Sequence, residues 1–178
     1  TEQNDPSGAL EDYNKTIELE PVNPLAYYAR ATVKFELKDH YGALKDYDRS
    51  IDNNPSFDQA FNNRGITKVK LQDFSGAVAD YTRAIELNTN YTKAYYNRGN
   101  ALIKLKQYDK AIRDYNKAIE FNNKDSDAYN NRGIARAELR DLKGSIEDYN
   151  RAIEMNPDYA QGYNNRGIVK IKIRQYAE

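Results

Sequence analysis

The stretch Ala60-Phe61-Asn62-Asn63-Arg64-Gly65 decides the reading of this chain, because it returns every 34 residues. Ala26-Tyr27-Tyr28-Ala29-Arg30-Ala31 precedes it. Ala94-Tyr95-Tyr96-Asn97-Arg98-Gly99, Ala128-Tyr129-Asn130-Asn131-Arg132-Gly133 and Gly162-Tyr163-Asn164-Asn165-Arg166-Gly167 follow without a gap. A second string keeps the same step: Gly8-Ala9-Leu10-Glu11-Asp12-Tyr13, then its counterparts at Gly42–Tyr47, Gly76–Tyr81, Lys110–Tyr115 and Gly144–Tyr149. Self-similarity at a fixed period marks a repeat architecture. Within 58–91, Ala60, Phe61, Arg64, Gly65 and Val69 step at helical spacing, as do Ala77, Val78, Tyr81, Ala84 and Ile85. The unit is too short for a strand–helix–strand crossover and right for two helices and two turns. Leu71-Gln72-Asp73-Phe74 supplies one turn, with Asp73 as N-cap of the second helix. Pro21, Pro55 and Pro157 stand where that second helix must stop.

Composition narrows the function. The 178 residues carry 27 Lys+Arg against 27 Asp+Glu, so the basic excess that marks a nucleic-acid binder is missing. With no Cys and one His, thiol nucleophiles and Cys/His zinc sites are excluded, as is a Ser–His triad not built on His40. No cofactor or metal is called for. No apolar run approaches the ~20 residues that span a bilayer, so membrane insertion is not expected. The compartment stays open, with the cytoplasm as default. The mean hydropathy of −0.97 is low, but 12% aromatic residues argue for a chain that packs. The chain begins with Thr rather than Met, which reads as an excised or processed fragment.

Numbered 1–34 from Pro24, Asp58, Thr92, Ser126 and Ala160, the units resemble the tetratricopeptide repeat (TPR) family over nearly the whole chain. The aromatic at position 4 is Tyr27, Phe61, Tyr95, Tyr129 and Tyr163, and the small residue at position 8 is Ala31, Gly65, Gly99, Gly133 and Gly167. Position 20 is Ala9, Ala43, Ala77, Ala111 and Ser145, and position 24 is Tyr13, Tyr47, Tyr81, Tyr115 and Tyr149. Small residues at 8, 20 and 27 are expected where the helix backbones approach most closely. The resemblance implies an all-α fold, a right-handed superhelical solenoid of antiparallel helix pairs. The whole of 1–178 is then one array: the outer helix of a partial unit (8–23), units 24–57, 58–91, 92–125 and 126–159, and the first helix of a further unit (160–178).

Three positions depart from the family pattern. Position 7, usually Leu, is Arg30, Arg64, Arg98, Arg132 and Arg166; position 23 is always acidic, as Asp12, Asp46, Asp80, Asp114 and Asp148. Position 11, often aromatic, is Lys34, Lys68, Leu102, Arg136 and Lys170. Five Arg and five Asp in fixed register read as a structural ion-pair ladder, since an orphaned buried charge is costly. Pairing between neighbouring units (Asp12–Arg30, Asp46–Arg64, Asp80–Arg98, Asp114–Arg132, Asp148–Arg166) leaves none of them without a partner. It is the expected arrangement.

The resemblance also implies that the first helices line a concave groove. The stripe facing it holds Asn63, Asn97, Asn131 and Asn165 at position 6; Tyr28, Asn62, Tyr96, Asn130 and Asn164 at position 5; and Asn100 at position 9. An amide offers donor and acceptor together, so such a row suits the backbone of an extended peptide, the use that other TPR grooves make of asparagine. The competing reading is a solvated polar lining in a chain with 20 Asn. The carboxylate clamp of chaperone-binding TPR domains fits poorly: its five places fall on Tyr28, Thr32, Asn63, Lys93 and Asn97, of which Asn63 and Lys93 match. His40, at position 17, reads as half-buried packing. The triplets Asn14-Lys15-Thr16 and Asn90-Tyr91-Thr92 match glycosylation acceptors without a secretory context.

These readings make the chain a non-enzymatic scaffold for protein–protein interaction that takes a protein or peptide partner. Two alternatives stay open: a self-assembling element stacking head-to-tail, and the scaffold arm of a larger protein. Stacking is motivated by the frame. Ala9, Leu10, Tyr13 and Ile17 at one end, and Tyr163, Gly167, Ile171 and Ile173 at the other, are expected to be bare, and they belong to the two halves of one unit.

Overall fold

The computed structural model describes residues 5–177, with side chains to Arg174. Residues 1–4 and 178 of the expected array, and the Tyr176 side chain at position 17, lie outside that range. Ten helices make up the described residues: α1 (Pro6–Leu19), α2 (Pro24–Glu36), α3 (His40–Asn53), α4 (Asp58–Lys70), α5 (Phe74–Leu87), α6 (Thr92–Lys104), α7 (Tyr108–Phe121), α8 (Ser126–Glu138), α9 (Leu142–Met155) and α10 (Ala160–Ala177). The fold is all-α, and the first helix of each unit starts at position 1 of the 34-residue frame. Two compact units divide the chain, Thr1–Thr89 and Asn90–Glu178. In the first, α1 to α5 pack in sequence order and α2 also touches α4. In the second, α6 to α10 do the same, with α8 touching both α6 and α10.

Local chemistry sets the helix ends. Asp39, Asp73 and Asp141 cap α3, α5 and α9, each carboxylate accepting from the backbone N–H three residues on at 2.8–2.9 Å. A Cβ on Gly42, Gly76 or Gly144 would stand 2.0–2.2 Å from the other oxygen of that carboxylate, so a larger residue there would make the capping aspartate shift. The third unit has Gln107 and Lys110 instead, and α7 has no side-chain cap. Asp5 caps α1 with Pro6 at its first position, which starts that helix ahead of Gly8. The helices α1, α3 and α9 end two residues before Pro21, Pro55 and Pro157. Between the two helices of a unit the chain turns through a left-handed residue, Lys38, Gln72, Lys106 and Arg140, at φ 57–67°. In α10 the equivalent residue, Arg174, is helical and the helix runs on.

The core follows the frame. Tyr47, Tyr81, Tyr115 and Tyr149 are 0–2% exposed, and Ala43, Ala77, Ala111 and Ser145 are fully buried. Position 8 must be small, but for a reason other than backbone approach. A Cβ on Gly65, Gly99 or Gly133 would lie 2.7–2.8 Å from the ring of Tyr81, Tyr115 or Tyr149. The glycine is a seat for the tyrosine of its own helix pair.

The ion-pair ladder runs within units, not between them. Arg30 donates through Nε and Nη2 to both carboxylate oxygens of Asp46 at 2.8 and 2.7 Å. Arg64–Asp80, Arg98–Asp114 and Arg132–Asp148 repeat the fork at 2.6–3.0 Å. The expected partners Asp12, Asp114 and Asp148 of Arg30, Arg132 and Arg166 are replaced by neutral amides of the preceding helix: Nη1 of Arg30 reaches Asn14, that of Arg132 reaches Asn116 and that of Arg166 reaches Asn150, each at 2.7 Å. Arg64 instead meets Asp48 there at 2.8 Å. The direction is fixed by the aromatic at position 4, over whose ring each guanidinium lies at 5.3–5.7 Å. Position 11 supplies a second cation to the same carboxylate, Lys34 to Asp46, Lys68 to Asp80 and Arg136 to Asp148, at 2.8–2.9 Å. Two cations one turn apart on the first helix thus converge on one buried aspartate of the second.

Candidate functional site

The polar stripe of the first helices is half-buried and bonded to itself. In the first unit Asn63 Nδ2 donates to the Tyr28 hydroxyl at 2.9 Å, and Asn62 Nδ2 donates to Asn63 Oδ1 at 3.1 Å. Thr32 Oγ1 donates to the Tyr28 carbonyl at 3.0 Å and meets the Tyr47 hydroxyl at 3.2 Å. Tyr28 also packs its ring on Phe57 and Tyr47, with centroids 4.9 and 5.8 Å away. Burial pushes the Tyr28 and Tyr47 hydroxyls above the ordinary tyrosine range, against the lowering pull of hydrogen bonds to Asn63 and Thr32. Both stay neutral donors and acceptors through the physiological range.

A longer network occupies the second unit. Asn165 Nδ2 donates to Asn130 Oδ1 at 2.9 Å, and Asn130 Nδ2 to Asn131 Oδ1 at 3.1 Å. Asn131 Nδ2 then donates to Asn100 Oδ1 at 3.0 Å and to the Tyr96 hydroxyl at 3.1 Å. Tyr115 closes the network from the core, its hydroxyl donating to Asn100 Oδ1 at 2.7 Å.

This geometry corrects the expected groove lining at two residues. Asn62 and Asn130 are 3% and 0% exposed, so their amides serve the interior rather than a ligand. Position 5 faces the neighbouring helices of the same compact unit, where only a residue bonded on several sides is tolerated. Asn63, Asn97, Asn100, Asn131, Asn165, Tyr28 and Tyr96 are half-buried, and Asn164 is exposed. His40 packs on Phe35 with ring centroids 5.2 Å apart, as a packing residue would.

Beside Asn63 the first unit holds an open cavity of about 260 Å³ lined by Thr32, Phe35, Glu36, Tyr47, Asn63 and Ile66. Its walls come from α2 and α4, and Tyr47 of α3 reaches in from the core. Thr32 and Ile66 belong to the position-9 stripe. Phe35, at position 12, is the lining residue that the asparagine pattern does not point to; the signal for it was the apolar run Phe35, Val69 and Ile103 at that position. Among the described residues no group of three or more His, Asp or Glu side chains is arranged to hold a metal ion. Among the described residues no helix is long and apolar enough to cross a membrane.

Tetratricopeptide repeat models match residues 2–56, 92–125 and 126–159, and a further TPR repeat model matches 68–106. The chain belongs to the tetratricopeptide repeat family. Among solved TPR structures, YrrB, a TPR protein with an unusual peptide-binding site, is 25% identical. It superposes with a TM-score of 0.82, covering 89% of this chain and 81% of its own. The first TPR domain of Spaghetti (RPAP3), bound to the HSP90 peptide SRMEEVD, is 25% identical with a TM-score of 0.64, covering 66% of this chain and 93% of its own. MamA from Desulfovibrio magneticus RS-1, 20% identical with a TM-score of 0.82 and 85% coverage of each chain, shares the solenoid fold. No curated protein matches the chain in sequence.

Proposed function

We propose that this TPR chain is a protein-interaction scaffold that takes an extended peptide segment across α2 and α4. The observation that carries the reading is the cavity between those helices, walled by Phe35 and Ile66 and rimmed by Asn63, Thr32 and Glu36. Apolar walls with a few placed polar groups are the usual make-up of a binding site. The cavity accepts one aliphatic side chain. Asn63 stands beside it to meet the peptide backbone, since an amide's four hydrogen-bonding positions exceed those that Tyr28 and Asn62 occupy. YrrB and the Spaghetti domain, both bound to or built for peptides, support a peptide as the partner class. The acidic peptide of the latter is not the expected ligand, because Tyr28 and Thr32 stand where a carboxylate clamp places Lys and Asn.

A displayed library of random peptides, selected on the immobilised chain, tests the reading. Selected peptides should share one aliphatic residue and should lose about tenfold or more in affinity for an Ile66→Lys variant with an unchanged melting curve. A library that yields no binder, or binders indifferent to Ile66→Lys, would overturn it.

A further inference from the structure

Position 5 alternates along the chain, Tyr28, Asn62, Tyr96 and Asn130, so the polar stripe repeats itself every two units. The geometry repeats with it. Asn63 donates to the Tyr28 hydroxyl at 2.9 Å in the first compact unit, and Asn131 to that of Tyr96 at 3.1 Å in the second. Asn62 to Asn63 and Asn130 to Asn131 are both 3.1 Å. The core tyrosine meets position 9 each time: Tyr47 lies 3.2 Å from Thr32, and Tyr115 lies 2.7 Å from Asn100. Ring centroids of Tyr28 and Tyr47 are 5.8 Å apart, and those of Tyr96 and Tyr115 are 6.1 Å apart. The apolar walls of the α2–α4 cavity also have counterparts on α6 and α8, which touch as α2 and α4 do. Ile103 stands for Phe35 at position 12 and Ile134 for Ile66 at position 9, both half-buried.

The rim charge is reversed between the two. Glu36 lines the first cavity from the end of α2, and it is exposed. Lys104 holds the same place at the end of α6, and it too is exposed. Among the described residues neither has an ion pair or a hydrogen bond. Arg30, Lys34, Arg64 and Lys68 on α2 and α4, by contrast, are all held on aspartates. Position 13 of the facing helix is reversed as well, Lys70 on α4 against Glu138 on α8, and Glu138 is bonded to the Tyr108 hydroxyl. Asn100 adds a polar group. Its Oδ1 accepts from Tyr115 and Asn131, while Nδ2 carries two N–H groups, of which the Tyr96 hydroxyl draws one. The other is open to a peptide carbonyl.

We propose that α6 and α8 form a second peptide seat, which takes an aliphatic side chain between Ile103 and Ile134 and pairs a neighbouring acidic residue with Lys104. The seat on α2 and α4, with Glu36 in that place, takes a basic neighbour instead. The inference rests on the reading of α2 and α4 as a peptide seat for its template, and Lys104 gives it a readout of its own. A lone rim charge adds discrimination because the wrong sign is repelled as well as left unpaired.

Fluorescence anisotropy with two dye-labelled peptides and the full 178-residue chain tests it. One peptide carries a leucine flanked on both sides by glutamate, and its twin has lysine in those places. The glutamate peptide should lose about tenfold or more in affinity on Lys104→Glu, and the same variant should take up a second equivalent of the lysine peptide. Lys110→Glu, the same change of net charge on α7, should leave the glutamate peptide within about twofold of the parent. Ile66→Lys should leave the glutamate peptide unaffected. A glutamate peptide that depends on Lys104, in a chain whose lysine peptide ignores Ile66→Lys, would refute the seat on α2 and α4 and still bear out this one. A glutamate peptide that does not bind the parent, that ignores Lys104→Glu, or that weakens equally on Lys110→Glu would overturn the proposal.

Discussion

Arg98 grips Asp114 with two parallel hydrogen bonds, Nε to Oδ2 and Nη2 to Oδ1, both at 2.7 Å. The carboxylate is 7% exposed and the guanidinium side chain 19%. Position 11 of this unit is Leu102, so the second cation that reaches Asp46, Asp80 and Asp148 has no counterpart here. Removing one partner of a buried pair costs about 3–5 kcal/mol, because the other charge is left in a medium that solvates it poorly. Arg98→Ala should therefore cost about 4 kcal/mol in urea unfolding. Arg64→Ala should cost about 2 kcal/mol, since Lys68 still holds Asp80 at 2.8 Å. The exposed pair Lys117–Glu120, 51% and 60% exposed, is screened by water, so Lys117→Ala should leave the urea midpoint nearly unchanged. Equal losses at Arg98 and Arg64 would show that the companion lysine contributes nothing.

Stability should fall at both ends of the pH scale. Burial pushes the Asp46 carboxyl up, but hydrogen bonds from Arg30 and Lys34 outweigh it and hold the group below its ordinary 3.8. Below that value the unfolded chain binds a proton that the folded chain does not. Stability is thus present above about pH 4 and is lost as pH falls through the folded value. The tyrosines act in the other direction. Burial raises Tyr47, Tyr81, Tyr96 and Tyr115 and pushes Tyr149 up to about 12. Above about 10 the unfolded state releases protons that the folded state keeps, so stability falls as pH rises, and for Tyr149 it does so until about 12. Urea midpoints measured from acid to alkaline pH should form a plateau that drops on both sides. A midpoint that rises above pH 10 would contradict the burial of these hydroxyls.

Two glycines at the same repeat position should respond oppositely to one methyl group. At Gly133 a Cβ would lie 2.7 Å from Cε1 of Tyr149 and 3.0 Å from Cδ1. The ring is 2% exposed and cannot step aside, so Gly133→Ala should destabilise by about 1–3 kcal/mol. At Gly167 the same methyl meets nothing within 4 Å, and alanine gains about 1 kcal/mol of helix propensity. Thermal melts of the two variants at low protein concentration should move in opposite directions. A shift of the same sign at both positions would remove the packing account.

The helices, their starts and their stops were legible in the sequence because each has a local cause. Asp73 caps α5 and Pro55 follows the end of α3, and such signals need no knowledge of neighbouring units. The direction of the ion-pair ladder was not legible from pairing alone. Asp12 lies eighteen residues before Arg30 and Asp46 sixteen after it, and both spacings bring the groups onto adjoining helices. What decides is the aromatic at position 4, which lays the guanidinium toward the second helix of its own unit, as Arg30 lies over Tyr27. Lys34 and Arg136, one turn beyond Arg30 and Arg132, carried the missing signal: a second cation on that face is explained by an aspartate shared within the unit. The asparagines were legible as a stripe but not as a network. Sequence spacing puts Asn130 beside Asn131 on one helix, and only packing against α6 and α10 shows that the first is buried and the second bonded on three sides.

That network ties the groove asparagines to the fold. Asn131 accepts from Asn130 at 3.1 Å and donates to Asn100 and Tyr96 at 3.0 and 3.1 Å. Asn131→Ala leaves the Asn130 Nδ2 donor with no acceptor at that point, and Asn130 is fully buried, so water cannot replace the lost bond. An unsatisfied buried donor costs about 1–3 kcal/mol, and Asn131→Ala should lose stability in that range. Asn164, exposed on the same helix as Asn165, gives the control: Asn164→Ala should change stability by less than about 0.5 kcal/mol. Asn131→Asp separates geometry from hydrogen bonding. It keeps the acceptor for Asn130 but turns the amide donor into a second carboxylate oxygen, which faces the Asn100 carbonyl oxygen that Tyr115 also occupies. Two oxygens without a proton between them repel, so the variant should be at least as destabilised as Asn131→Ala at neutral pH and should recover as the carboxyl is protonated in acid. Urea unfolding of the three variants at neutral and mildly acidic pH decides the matter. Stability unchanged in Asn131→Ala would mean that the asparagines are a solvated lining after all.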